Sequence, residues 1–174
     1  MPENGTLSND RHDIPLDVIL PTHGRLDLTM RAVNCLYGNT QAKFHLIVVD
    51  DSEASKKTGH WNRVDSSDVT QQYFTNLCKE QPNKDITYLP QSVPFKSGNQ
   101  FMNLGLAHCK YDYVAMVMNS IRVEPDWETI ALQLFENDPK IGIVAPKNLL
   151  PEGTIESAGI ALIDFTPIDI GKGE

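Results

Sequence analysis

Four short polar stretches interrupt the apolar runs of this sequence, and each carries side chains able to do chemistry. Asp50-Asp51-Ser52 closes the apolar run Phe44–Val49. Carboxylates at the end of a strand accept hydrogen bonds from a base or a ribose; the same pair also suits a solvated turn in which an Asp caps a loop. Pro21-Thr22-His23-Gly24-Arg25 offers an imidazole that can stack on or hydrogen-bond a base, or merely be exposed. Its Arg25 can contact a phosphate or support the start of a helix. The stretches Lys96–Asn99 and Asn119–Arg122 bring further polar groups. Lys96, Arg122 and the more distant Lys147 are cations able to face a diphosphate, and equally well solvated surface charges. Gly98 and Asn103 can shape a pocket, although Gly98 also suits a helix start. No GxGxxG follows the first apolar run and no GxxxxGK[ST] occurs, so pyrophosphate binding of either kind is unsupported. No Ser-His-Asp arrangement has informative spacing.

The elements that must position these groups alternate. Asp17–Leu20 is an apolar run fit for a buried strand, and Leu26, Met30, Val33 and Tyr37 then recur at helical spacing up to Gly38-Asn39. Phe44–Val49 is a second buried strand. Residues 53–67 are rich in polar and breaker residues and read as a loop. A helix over about 68–80 carries Val69, Tyr73 and Leu77; Ile86–Leu89 is a third strand; a helix from Gly98 to Cys109 carries Phe101, Leu104 and His108. Tyr113–Met118 is the fourth strand and, by hydrophobicity, the most central. Pro125 fits the first turn of the next helix, with Trp127, Ala131 and Leu134 on one face and Trp127 most simply in the core. Ile141–Ala145 reads as a fifth strand, and Ile160–Ile163 as a strand or hairpin. Such alternation implies a mostly parallel sheet with helices on both faces, whose ligand sits outside the carboxyl ends of the strands. All four polar stretches fall there.

Bulk properties narrow the function classes. At 174 residues the chain is long enough for one domain with a real core, and a hydrophobic share of 40% with 22% charged residues is that of a globular protein rather than a disordered one. A formal charge of −8 argues against a nucleic-acid surface, which needs clustered Lys and Arg. No apolar run approaches the roughly 20 residues of a spanning helix, so membrane insertion by this chain is not expected. The first 14 residues read as a flexible polar arm without a signal peptide, which makes Asn4-Gly5-Thr6 a sequon in a tail. Cys35, Cys78 and Cys109 form no CxxC pair and fit buried or partly buried thiols in a reducing, cytoplasmic setting.

Several stretches together resemble one family. Pro21-Thr22-His23-Gly24-Arg25 resembles the Pro-Thr-Tyr-Asn-Arg opening of family-2 glycosyltransferases, and Val48-Val49-Asp50-Asp51-Ser52 resembles their Val-Asp-Asp-x-Ser element. Gly98–Ala107 is similar to their Gly-x-x-x-x-Arg-Asn-x-Gly stretch, with Met102 in place of the arginine before Asn103. Tyr111–Val114 and Val123–Trp127 resemble the flanks of the metal-binding loop, and Ile155–Gly159 and Gly171–Glu174 resemble later segments of some members. The resemblance runs from about residue 16 to the end. It implies an α/β GT-A fold, Rossmann-like, with a mostly parallel sheet flanked by helices, here over 15–174, lacking the acceptor half, which a partner domain or chain would supply. It implies transfer of a sugar, as by a hexosyltransferase, from a UDP-, GDP- or dTDP-sugar to an acceptor hydroxyl on a glycan, a lipid-linked carrier or a protein, usually with inversion.

The site residues implied are Pro21, Thr22, His23, Arg25, Asp50, Asp51, Ser52, Gly98 and Asn103 for the nucleotide, the acids contacting base and ribose. Asn119, Ser120 and Arg122 would serve the diphosphate. The family's Mn²⁺ or Mg²⁺ would fall to Asn119, because Ser120 stands where a carboxylate is expected and a hard dication prefers charged oxygens. No catalytic base is matched. The other reading left open is a degenerate, non-catalytic module that binds a nucleotide or sugar or scaffolds a partner.

Overall fold

The structure is a computed structural model that describes residues 14–58, 64–65, 67–163 and 166–174; the N-terminal arm with its sequon lies outside the described residues apart from residue 14. The chain divides into two compact units, Met1–Ile130 and Ala131–Glu174.

In the first unit, β1 (Leu16–Thr22), β2 (Phe44–Asp50), β3 (Ile86–Pro90) and β4 (Tyr113–Met116) form one parallel sheet in the order β3-β2-β1-β4. The α/β architecture expected from the alternation is therefore present. β1 and β2 are the central pair, and Val18, Ile19, Leu20, Leu46, Ile47, Val48 and Val49 are all fully buried. Burying such a side chain contributes about 1.5–3 kcal/mol, so this pair supplies the main apolar stabilisation of the sheet. β4, expected to be the most central strand, is instead at the edge: Val114, Met116 and Met118 are exposed, and only Val117 just past it is buried. Hydrophobicity alone does not fix the place of a strand in a sheet. Register sets Thr22 opposite Asp50 and Asp50 opposite Pro90, so the polar ends of three strands share one edge.

Helices α1 (Leu26–Asn39), α3 (Thr70–Glu80) and α4 (Gly98–Leu106) lie where the spacing puts them. The expected loop after β2 instead opens as a helix, α2 (Ser52–Thr58), whose Ser52, Ala54 and Ser55 are buried; the rest of that stretch is described only in part. α5 (Trp127–Asn137) starts two residues after Pro125, not on it, and Asp126 between them is left-handed at φ 59°. The boundary between the two units falls inside α5.

At the amino edge of the sheet, Asp17 and His45 are wholly buried and 2.6 Å apart through His45 Nδ1, while His45 Nε2 lies 2.7 Å from Thr87 Oγ1. The other oxygen of Asp17 accepts the backbone N–H groups of Lys110 (2.8 Å) and Tyr111 (2.7 Å). One carboxylate thereby fixes the entry to β4. Glu128, in the first turn of α5, accepts the N–H groups of Gln41 and Ala42 at 2.7 and 3.0 Å and so ties that turn to the α1–β2 connection. Trp127, half-buried, donates from Nε1 to Thr40 Oγ1 at 2.9 Å.

The second unit holds two antiparallel pairs: β5 (Asn148–Leu149) with β6 (Ile155–Ser157), and β7 (Ile160–Ile163) with β8 (Thr166–Asp169). The hairpin expected around Ile160–Ile163 is there. Residues 141–145, expected as a strand, are not one, and Ile143 is 88% exposed.

Candidate functional site

The candidate site is the carboxyl edge of the sheet, where the strand order reverses between β1 and β4. In open α/β sheets that edge is where ligands bind. β1 ends at Thr22, whose hydroxyl donates to the Gly24 carbonyl at 3.2 Å and lies 3.0 Å from the Thr29 hydroxyl on α1. The chain then turns through two left-handed residues, Gly24 (φ 69°) and Arg25 (φ 58°). A side chain at Gly24 would meet Val64 at 3.0 Å as well as the positive φ. Arg25 accepts that backbone conformation, which costs a residue with a Cβ on the order of 1–3 kcal/mol. Its carbonyl takes the N–H groups of Leu28 and Thr29, and its side chain is exposed.

The two acids that end β2 have different surroundings. Asp50 is 2% exposed; it accepts the Ser52 N–H at 2.9 Å and the Tyr88 hydroxyl at 2.6 Å. Burial raises its carboxyl above the usual carboxylate range, against the pull of those hydrogen bonds, and the charge of Asp51 raises it further. Burial and Asp50 in turn push the Tyr88 phenol far up, which keeps it a donor. Asp51 is 1% exposed, and both of its oxygens are engaged. One lies 2.5 Å from His23 Nδ1, and the other accepts the Phe95 N–H at 2.9 Å. Asp51 thus fastens the loop after β3 to the loop after β1.

Together they wall a cleft of about 180 Å³. His23 and Asp51 form one side, Phe95 and Phe101 supply aromatic surface, and Lys96, Ser97 and Gly98 bring in the start of α4. The two Phe rings meet edge to face at 4.4 Å. Whole-ligand pockets measure roughly 300–1,000 Å³, so this cleft takes one ring rather than a whole nucleotide sugar. A larger groove, about 360 Å³, runs between α2 and α3 past Glu53, Lys57, Gln71, Gln72, Thr75 and Asn76. It lies along a helix pair, holds none of the candidate residues and has no aromatic wall, so the smaller cleft is the better site.

Across β1, Val117 N–H continues onto the Ile19 carbonyl at 3.0 Å, and Asn119 Nδ2 donates to Thr29 Oγ1 at 3.0 Å. Asn119 is therefore joined through Thr29 and Thr22 to the loop that carries His23. Ser120 and Arg122 follow, both exposed. The donors at this turn are an amide and a hydroxyl. Among the described residues no group of three or more His, Cys, Asp or Glu side chains is placed to hold a metal ion. With Asp50 and Asp51 both committed elsewhere, these residues do not fit a hard dication, which prefers charged oxygens.

Of the residues singled out in the sequence, His23, Asp51, Lys96 and Gly98 meet in the cleft; Pro21, Thr22 and Ser52 are buried and are not in its wall, and Asp50 faces Tyr88. Asn103 is exposed on α4 and is not in the cleft wall; Met102, next to it, packs on the core cluster of Ile19, Ile47, Val49 and Phe101. Lys147 belongs to the other unit. Phe95, Tyr88 and the contact of Ser55 with His23 were not legible in advance. Phe95 and Tyr88 lie in or after the third strand with no spacing that marks them.

No family model matches the chain. It is 26% identical over 150 residues to the uncharacterised protein y4gI of Sinorhizobium fredii, covering 84% of this chain and 15% of that protein. Among solved structures it is similar to residues 1–349 of S. aureus TarS, with a TM-score of 0.56 at 15% identity, over 79% of this chain and 40% of that one. The complex of TarS with UDP-GlcNAc matches with a TM-score of 0.55 at 14% identity, over 80% and 42%. The mannosyltransferase PcManGT of Pyrobaculum calidifontis, in complex with GDP-Man and Mn²⁺, matches with a TM-score of 0.59 at 19% identity, over 79% and 36%. The chain spans less than half the length of these structures and about a seventh of y4gI. The parallel sheet with its flanking helices is the GT-A glycosyltransferase fold.

Proposed function

We propose that this chain is the nucleotide-sugar-binding part of a family-2-type glycosyltransferase, using a UDP-, GDP- or dTDP-sugar as donor and transferring it with inversion to an acceptor hydroxyl. The observation that carries the reading is the aromatic-walled cleft at the carboxyl edge of a GT-A sheet, closed by the His23–Asp51 pair. Solved proteins of this fold include complexes with GDP-Man and with UDP-GlcNAc. In the proposed pose the base enters the cleft against His23 and Phe95, and the diphosphate runs toward Asn119–Arg122, where Arg122 and the amide of Asn119 offer donors. The acceptor half and the base that takes the acceptor's proton come from outside the residues assigned here. Three free cysteines support a reducing, cytoplasmic setting, and no helix among the described residues is long and apolar enough to cross a membrane.

A second reading is favoured by one observation: both strand-end acids are engaged within the chain, and an exposed Ser120 follows Asn119. On that reading the chain is a non-catalytic module that holds a nucleotide or sugar. Binding comes first in either case. Calorimetry with UDP, GDP and dTDP is expected to show binding that Asp51→Ala weakens at least tenfold, or about 1.4 kcal/mol, with the circular dichroism retained. Mn²⁺ is expected to change wild-type affinity little, and Ser120→Asp to create metal dependence. Unchanged affinity in Asp51→Ala overturns the site; turnover of a donor sugar with an added acceptor half decides between the two readings.

A further inference from the structure

The turn that follows β4 is fastened to one helix at both of its ends. Within it, the Ile121 N–H donates to the Met118 carbonyl at 3.0 Å. At its start, Asn119 Nδ2 donates to Thr29 Oγ1 on α1. At its far end the partner is Asn39, the last residue of the same helix. Asn39 Nδ2 donates to the Val123 carbonyl at 2.6 Å, and the Asn39 carbonyl accepts the Asp126 N–H at 3.0 Å. One residue thus grips both ends of residues 123–126. Asp126 sits there in the left-handed region, at φ 59°, a strained conformation for a residue with a Cβ that persists only where its surroundings enforce it. Immediately beyond, Trp127 bonds to Thr40, and Glu128 to Gln41 and Ala42. Residues 39–42 therefore form a strap across 123–128, one position past the exposed Arg122.

We infer, on the nucleotide-binding reading above, that Asn39 is a positioning residue for the diphosphate of the donor. Through Val123 and Asp126 it holds the 119–122 turn in one shape before the ligand arrives. A turn anchored at Asn119 alone would pivot on that anchor, and ordering it on binding would cost part of the affinity. The second anchor removes that cost. Asn39 acts through the backbone it holds, so its effect falls on the diphosphate end of the ligand. The cleft proposed for the base is built by other loops, those after β1 and β3.

The test uses the full chain and two readouts. Brief trypsin digestion under native conditions, mapped by mass spectrometry, follows the cut after Arg122, which needs the turn to open. NMR titration follows UDP and uridine, which differ only in the diphosphate. Asn39→Ala is expected to quicken the cut severalfold, to weaken UDP about threefold to tenfold, as loss of one such hydrogen bond does, and to leave uridine unchanged. Thr40→Val, which removes the partner of Trp127 and spares the grip on Val123, loosens the start of α5 without changing the ratio of UDP to uridine affinity. An unchanged cut in Asn39→Ala overturns the inference. So does a loss shared equally by UDP and uridine, or a Thr40→Val variant that lowers the ratio as much. In those outcomes wild type still binds UDP and the nucleotide reading stands. Wild type that binds neither UDP nor uridine fells that reading, and the role of Asn39 with it.

Discussion

Asp50 and Asp51 are neighbours in sequence with opposite duties, and the difference is one of partners. Asp51 links two loops of the cleft, whereas Asp50 turns inward to Tyr88 and pays in desolvation. Because burial raises the folded-state value of Asp50 above its unfolded value, the stability this group contributes is complete below the unfolded carboxylate range and is lost as pH rises through the folded value. Asp50→Asn keeps an acceptor for Ser52 and cannot ionise. It is therefore expected to gain stability relative to wild type as pH rises through and above the carboxylate range, and to hold that gain at neutral pH. Urea midpoints of both proteins at stepped pH measure it; a variant that loses ground with rising pH would show that the Tyr88 and Ser52 hydrogen bonds outweigh desolvation. Both acids were visible in the sequence because they close an apolar run. Asp17, His45 and Glu128 were not, since each is a lone polar residue inside or beside an apolar segment and finds its partner 28 to 94 positions away.

The helices were legible as helices, and Val33, Leu77 and Phe101 are buried on the faces where the spacing puts them, but other positions on those faces were misread. In α1 the core side is Thr29, Ala32, Val33 and Leu36, while Met30 is 38% exposed; in α3 it is Thr70, Phe74 and Leu77, with Val69 exposed. α4 buries Phe101 and Gly105 and ends at Leu106, so that His108, expected on it, lies past its end and is exposed; in α5 Glu128 and Leu132 are buried while Leu134 is exposed. In each case a polar or very small residue takes a core position, and apolar periodicity passes over it. Gly105 shows why such a residue is needed. A Cβ there would stand 2.5 Å from Ile19 Cγ2, with two further Ile19 atoms at 3.0 Å. Gly105→Ala is expected to destabilise by about 1–3 kcal/mol through overpacking, despite the roughly 1 kcal/mol that alanine gains in helix propensity. Gly38→Ala, in α1 with nothing within 4 Å of the added carbon, is the control and should be neutral or slightly stabilising. Equal urea midpoints for the two variants would mean that α4 does not press on β1 as described.

At the scale of the whole chain, the two units differ in what holds them. The first has a sheet whose central strands are buried throughout; the second has strand pairs of two to four residues. Protection against hydrogen exchange follows buried, cooperative structure. The amides of β1 and β2 are expected to exchange slowest and those of 148–174 fastest, by several orders of magnitude, as mass spectrometry of peptides after timed labelling would read. Uniform protection would mean one cooperative unit. The edge position of β4 bears on the behaviour of concentrated solutions. An open strand edge beside exposed Val114, Met116 and Met118 is a template for sticking between molecules, and a net charge of −8 keeps molecules apart only while that charge is felt at a distance. The Debye length falls from about 10 Å at 0.1 M salt to about 3 Å at 1 M. Colloidal stability of this chain is thus expected to decline with added salt, seen as rising light scattering at constant protein concentration, and Met116→Lys should flatten that rise.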